Sequence, residues 1–159
     1  MCILDSGVNN QHPLLLPFLP DTHLAVYNPS WGVFDGAPHG GHGTGVAGLA
    51  LYGDMVDVLT SLHKVQIFHG LESFKIIQRG EDNDPQLYGA ITETATSSPF
   101  IDRPLNPRVF CMTVTAEQSF RGRPSAWSAA VDKIAFGSAL NPVAPQLFIV
   151  ASAPRNQHR

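Results

Sequence analysis

Two residue types that can carry out chemistry stand beside glycines in the first third of this chain. His42 lies in the segment G-G-H-G-T-G-V-A-G-L-A, which runs from Gly40 to Ala50, and Asp5 ends the apolar run C-I-L-D. Histidine and aspartate can transfer protons or bind a metal, and an aspartate that follows a strand can accept a phosphoryl group. The sequence around each residue decides among these possibilities.

A phosphate-binding loop, a metal site and an aspartyl phosphotransferase each require neighbouring residues that this sequence lacks. The glycines near His42 suggest a phosphate-binding loop, but no G-x-x-x-x-G-K-[ST] lysine follows. A metal site formed by His39 and His42 with Asp5 or Asp35 is disfavoured, because no predicted helix aligns the two imidazole rings. An aspartyl phosphotransferase is disfavoured because Asp5 has no second acidic residue two positions later.

The elements that hold the two residues follow from the patterns around them. Residues 2–8 predict a buried parallel strand that ends at Asp5, and open α/β sheets place their sites at this edge. His42 is predicted to begin a helix, with Thr44 as its N-cap and Gly53 as its stop. Gly45 and Gly48 are predicted to let this helix lie close to a neighbour. Its buried face is predicted to comprise Val46, Ala47, Leu49 and Ala50.

The rest of the chain predicts an α/β fold with a doubly wound, mostly parallel sheet and helices on both faces. Further strands are predicted at residues 23–27, 73–77, 108–115 and 147–151. A helix capped by Asp84 is predicted to bury Leu87, Ala90, Ile91 and Ala95, and another is predicted around Trp127. We expect the first strand to be central, between the Phe74 and Val109 strands, with the His23 and Phe148 strands outermost.

The motifs D-S-G-V, beginning at Asp5, and H-G-T-G-V-A-G, beginning at His42, resemble those of the subtilisin-like serine proteases (subtilases). These endopeptidases hydrolyse peptide bonds with an aspartate, a histidine and a serine that occur in this order along the chain. The resemblance implies that Asp5 orients the histidine and that His42 is the general base. Subtilases commonly have a second, non-catalytic histidine where Gly45 stands here.

Later segments extend the resemblance. The run R-V-F-C-M-T-V-T-A is similar to the subtilase strand beside the substrate cleft, which implies that the backbone of Thr113, Val114 and Thr115 binds an extended peptide. The run F-I-V-A-S-A resembles the strand before the oxyanion-hole asparagine, for which Asn156 is the candidate. The family has glycine directly before that asparagine, whereas Pro154 and Arg155 precede Asn156 here.

The nucleophile motif of subtilases, G-T-S-x-A-x-P, does not occur in the printed sequence. Ser138 lies in G-S-A-L-N-P, which lacks the threonine and comes too early in the order. We therefore expect residues 1–159 to be a partial subtilase domain that has its Asp and His motifs and lacks the serine segment. Such a chain is predicted to be inactive alone and to pair with the missing C-terminal half of its domain. The alternative is a catalytically silent module that binds peptides or a protein partner.

Composition sets the remaining expectations. The 159 residues, of which 43% are apolar, fit one domain. The net charge of -3 does not indicate the basic surface that binds nucleic acid. No apolar run is long enough to span a bilayer. No cofactor is expected, and no residue is assigned as a metal ligand. Cys2 and Cys111 are predicted to be buried thiols.

Two expectations concern partners and location. The last strand, around Phe148, is predicted to be a bare apolar edge that allows self-association. The chain opens within its first predicted strand, so sequence is expected before it, and the lack of a visible secretory signal slightly favours an intracellular location.

Overall fold

A computed structural model describes residues 1–39, 41–115, 123–136 and 145–151. Five short strands form one sheet in the order β2-β3-β1-β4-β5, and every neighbouring pair is parallel. The predicted fold class and strand order are therefore confirmed. The strands are β1 (Cys2–Asp5), β2 (Leu24–Val26), β3 (Glu72–Lys75), β4 (Val109–Met112) and β5 (Leu147–Val150).

Helices cover both faces of this sheet. They are α1 (His42–Tyr52), α2 (Met55–Thr60), α3 (Tyr88–Asp102) and α4 (Ala126–Phe136), with short 3₁₀ turns at residues 21–23, 29–31 and 85–87. Successive residues of a strand point to opposite faces. Cys2 and Leu4 of β1 therefore pack with α3 and α4, whereas Ile3 packs with α1. Among the described residues, no helix has both the length and the apolar character needed to cross a membrane.

Helix α1 has the predicted bounds, but two details of its prediction were wrong. Thr44 does not cap it, because the N-cap position is Gly41, which has no side chain to offer. Leu49 is 64% exposed. The buried residues are Gly43, Ala47 and Leu51, one turn apart, and Val46 and Ala50 are half-buried beside them. The helix is apolar on all sides, so its sequence could not show which side faces β1.

Helix α3 begins later than Asp84 suggests. Asp84 caps the 3₁₀ turn instead, where its Oδ1 accepts a hydrogen bond of 2.9 Å from the Gln86 amide. Leu87 and Ala90, predicted to be buried, are exposed. The buried stripe comprises Ile91, Thr92, Ala95, Thr96 and Pro99.

Both cysteines are buried and free, as predicted. Burial raises the pKa of the Cys2 thiol to about 12 and also raises that of Cys111, so neither is a reactive thiolate at neutral pH.

Strand β5 lies at the edge of the sheet and pairs with β4. Its residues Leu147, Ile149 and Val150 are all exposed to solvent. Self-association through this strand stays a prediction.

Candidate active site

The carboxylate of Asp5 lies at the carboxyl end of the central strand, where its side chain is 1% exposed. Its Oδ1 accepts a hydrogen bond of 2.6 Å from the Ser6 amide, and its Oδ2 accepts one from the Thr113 hydroxyl. These donors come from the ends of two adjacent strands, β1 and β4. The carboxylate is therefore held in a fixed orientation before the histidine is considered.

His42 meets this carboxylate from the first residue of α1. The distance from its Nδ1 to Asp5 Oδ2 is 2.7 Å, within the range that a hydrogen-bonded pair requires. An ionised carboxylate can only accept, so Nδ1 carries the hydrogen and Nε2 keeps a free lone pair. The His42 side chain is 58% exposed, which leaves the ring open to a reacting group. The two residues that the sequence singled out are thus in contact.

Glycine is required where α1 approaches β1. A Cβ added at Gly43 would lie 2.2 Å from the Gly7 carbonyl oxygen and 3.2 Å from Asp5 Cβ. The predicted close approach is therefore real, but it lies at Gly43. A Cβ at Gly45 or Gly48 would meet no described atom within 4 Å.

We expect Gly43→Ala to destabilise the protein by about 1–3 kcal/mol, because the new methyl group overlaps backbone that cannot move freely. Gly45→Ala is the matched control on the same helix and is expected to be neutral or to stabilise by up to about 1 kcal/mol. Thermal unfolding followed by circular dichroism measures both. Equal melting temperatures for the two variants would contradict the tight contact between α1 and β1.

A second carboxylate, that of Asp35, lies beside the pair. From the sequence, Asp35 was considered only as a possible metal ligand. It accepts hydrogen bonds from the Ser6 hydroxyl and from the Thr44 amide and hydroxyl. Burial raises the pKa of the Asp35 carboxyl, but the hydrogen bonds from Thr44, Ala37 and Ser6 outweigh burial, so the pKa lies below its ordinary value. The feature of the sequence that could have pointed to Asp35 is Gly41. A helix whose N-cap residue has no side chain needs another group to accept the hydrogen bonds of its first amides.

The three residues predicted to bind peptide line a cleft that also contains Asp5 and His42. This cleft has a volume of about 470 Å³, and Thr113, Val114 and Thr115 form part of its wall. Thr113 has a second role that the sequence did not indicate, because its hydroxyl donates a hydrogen bond to the Asp5 carboxylate. Further apolar and aromatic lining residues are Ile76, Ile77, Tyr88, Ile91 and Trp127.

The remaining candidates fall elsewhere. Asn156 and Ser138 lie outside the described residues. Within residues 1–39, 41–115, 123–136 and 145–151, no group of three or more His, Cys, Asp or Glu side chains could hold a metal ion.

Comparison with known proteins identifies the family of this chain. The family model described as the subtilase family, peptidase S8, matches residues 1–156. Searches of curated proteins and of solved structures gave no significant match. Because the family model covers nearly the whole sequence, this chain belongs to the subtilase family of serine proteases.

Proposed function

We propose that this chain supplies the orienting carboxylate and the general base of a subtilisin-type serine endopeptidase. The observation that carries the proposal is the 2.7 Å contact between His42 Nδ1 and Asp5 Oδ2 at the carboxyl end of β1. In this reading residues 1–159 are the Asp-and-His part of a subtilase domain.

The chemistry assigned to each residue follows from its position. His42 Nε2 would take the proton of a serine hydroxyl as the serine oxygen attacks the peptide carbonyl carbon, and would then give it to the departing amine. Asp5 would stabilise the imidazolium formed between these two transfers. Water would release the resulting acyl-enzyme by the same proton route. Asn156 stays the candidate donor to the carbonyl oxygen.

The serine itself is proposed to lie outside these 159 residues. The printed sequence has no G-T-S-x-A-x-P, and Ser138 lacks that context. The His42 ring is exposed, so a serine brought by other sequence could reach it. The C-terminal half of the domain is therefore the first partner that we propose.

The shape of the cleft supports an extended peptide as substrate. A peptide could add beside the backbone of residues 113–115, which continue from β4 along the cleft wall. The rings of Tyr88 and Trp127, with centroids 5.1 Å apart, line the same cleft with Ile91 and Val114. This lining favours a substrate with an apolar side chain at that position.

A second candidate is a silent module that binds peptides in this cleft without cleaving them. The observation in its favour is that the printed sequence lacks the nucleophile motif. The cleft and the residues 113–115 could bind a peptide without any contribution from His42.

The test fuses residues 1–159 to a subtilase segment that carries G-T-S-x-A-x-P and treats the folded fusion with a fluorophosphonate probe. We expect the motif serine to be labelled, and labelling to be lost in His42→Ala, because the probe reacts with an activated hydroxyl. His63→Ala, an exposed histidine outside the cleft, is the matched control. Labelling that does not depend on His42 would contradict the proposal. A folded fusion that binds peptide but is never labelled would favour the silent module.

A further inference from the structure

We infer that Asp35 is a positioning residue that joins the end of β1 to the start of α1 and so keeps His42 in contact with Asp5. Its catalytic consequence rests on the function proposed above. The contact that it maintains can be measured without any catalysis.

Four donors converge on the Asp35 carboxylate. Oδ1 accepts from the Ser6 hydroxyl at 2.8 Å and from the Ala37 amide at 3.0 Å. Oδ2 accepts from the Thr44 amide at 2.7 Å and from the Thr44 hydroxyl at 2.8 Å. Ser6 follows Asp5 directly, and Thr44 lies in the same helical turn as His42. One carboxylate thus connects the two segments that carry the proposed orienting residue and base.

The same carboxylate serves as the cap of α1. Gly41 at the N-cap has a φ of +103° and makes no side-chain hydrogen bond. A Cβ added at Gly41 would lie 2.3 Å from Asp35 Oδ2, so the carboxylate occupies the space that a capping side chain would need. The orientation of the first helical turn, and with it that of the His42 ring, therefore depends on Asp35.

Asp35 is itself fixed from two directions. Its amide donates to Asn9 Oδ1 at 3.1 Å, and the Asn9 amide donates to Thr44 Oγ1 at 3.0 Å. The neighbouring Phe34 carbonyl accepts a hydrogen bond of 2.7 Å from Lys75 Nζ. Lys75 is 1% exposed and pairs in register with Asp5 across β1 and β3. The loop that carries Asp35 is therefore tied to the same strands as the candidate site.

Removing this carboxylate should separate His42 from Asp5 without displacing Asp5. The Asp5 carboxylate would keep its bonds from the Ser6 amide and the Thr113 hydroxyl, neither of which involves Asp35. The start of α1 would lose its cap and its link to Ser6. We expect the Asp5 carboxylate to keep its position and the His42 ring to lose its single orientation.

The experiment records ¹⁵N imidazole spectra of the isotope-labelled 159-residue chain at a pH where His42 is neutral. The wild type is expected to show the pattern of a single Nδ1–H tautomer, since Asp5 accepts from Nδ1. Asp35→Ala is expected to show the averaged pattern of two tautomers, and Thr44→Val an intermediate one. Asp54→Ala is the matched control, because Asp54 caps α2 and its loss removes a helix cap away from His42.

A folded Asp35→Ala protein that keeps the Nδ1–H pattern would overturn the inference, as would an equal loss of that pattern in Asp54→Ala. If Asp35→Ala does not fold, Asp35→Asn is judged by the same signature, because it keeps the volume and one acceptor oxygen. This readout is independent of the labelling experiment. If Asp35→Ala changes the His42 tautomer pattern but the motif serine of the fusion is never labelled, the positioning role is supported and the protease proposal is overturned. If the serine is labelled but Asp35→Ala leaves the tautomer pattern unchanged, the protease proposal is supported and the positioning role is overturned.

Discussion

The purified 159-residue chain is expected to hydrolyse peptides about 10⁶-fold more slowly than a subtilase with a complete triad. In subtilisin itself, loss of the serine alone lowers turnover by roughly 2 × 10⁶, about as much as loss of all three triad residues. Asp5 can orient the histidine and His42 can accept a proton, but neither residue can form the acyl-enzyme. The pair is therefore expected to have no measurable effect on hydrolysis without the serine.

Hydrolysis of a fluorogenic peptide by the wild type, His42→Ala and Ser138→Ala measures this expectation. All three proteins should give the same rate, and none should be labelled by a fluorophosphonate. Stoichiometric labelling of the wild type that disappears in Ser138→Ala would show that Ser138 is a nucleophile. That result would overturn the assignment of the serine to sequence outside these residues.

Arg108→Met is expected to destabilise the protein by about 3–5 kcal/mol, the usual cost of leaving one member of a buried ion pair alone. The Arg108 side chain is 1% exposed and donates to Glu72 at 2.6 and 2.9 Å and to the Pro99 carbonyl at 2.9 Å. Its guanidinium also lies 4.5 Å from the centroid of the Phe100 ring. Without it, Arg103 is the one described side chain that still forms an ion pair with the Glu72 carboxylate.

Chemical denaturation compares Arg108→Met with two controls. Arg103→Met removes a more exposed partner of the same carboxylate and should cost less. The double variant Glu72→Gln/Arg108→Met should recover part of the loss, because the buried carboxylate left without Arg108 is then replaced by a neutral amide. A loss for Arg108→Met no larger than that for Arg103→Met would contradict the argument.

The ion pair between Glu72 and Arg108 is expected to make the stability of the protein fall in acid. Burial raises the pKa of the Glu72 carboxyl, but its hydrogen bonds to Arg108 and Arg103 outweigh burial and hold the pKa below its ordinary value. A lowered pKa stabilises the folded protein above the ordinary pKa of the carboxyl. This contribution is lost as the pH falls through the value in the folded state. Arg108→Met should therefore show a smaller loss of stability in acid than the wild type does.

The sequence predicted the candidate pair Asp5 and His42 through local patterns. An apolar run that ends in Asp5 predicts a carboxylate at the edge of a parallel sheet, and glycines around His42 predict a histidine at the start of a helix. Both patterns involve residues that are neighbours in the chain, so they depend little on the rest of the fold. The order of the strands was also predicted correctly, and right-handed connections between parallel strands then place helices on both faces of the sheet.

The tertiary structure alone decided which further groups reach the pair. Thr113 meets Asp5 across 108 positions of sequence, and Asp35 meets Ser6 across 29. The buried side of α1 was likewise predicted only in part, with Leu49 wrongly included, because a helix that is apolar all round gives no periodic signal. Which part of such a helix is buried, and which carboxylate caps it, depends on contacts between segments that are distant in sequence. Those contacts are fixed when the whole chain packs, and no short stretch of it contains them.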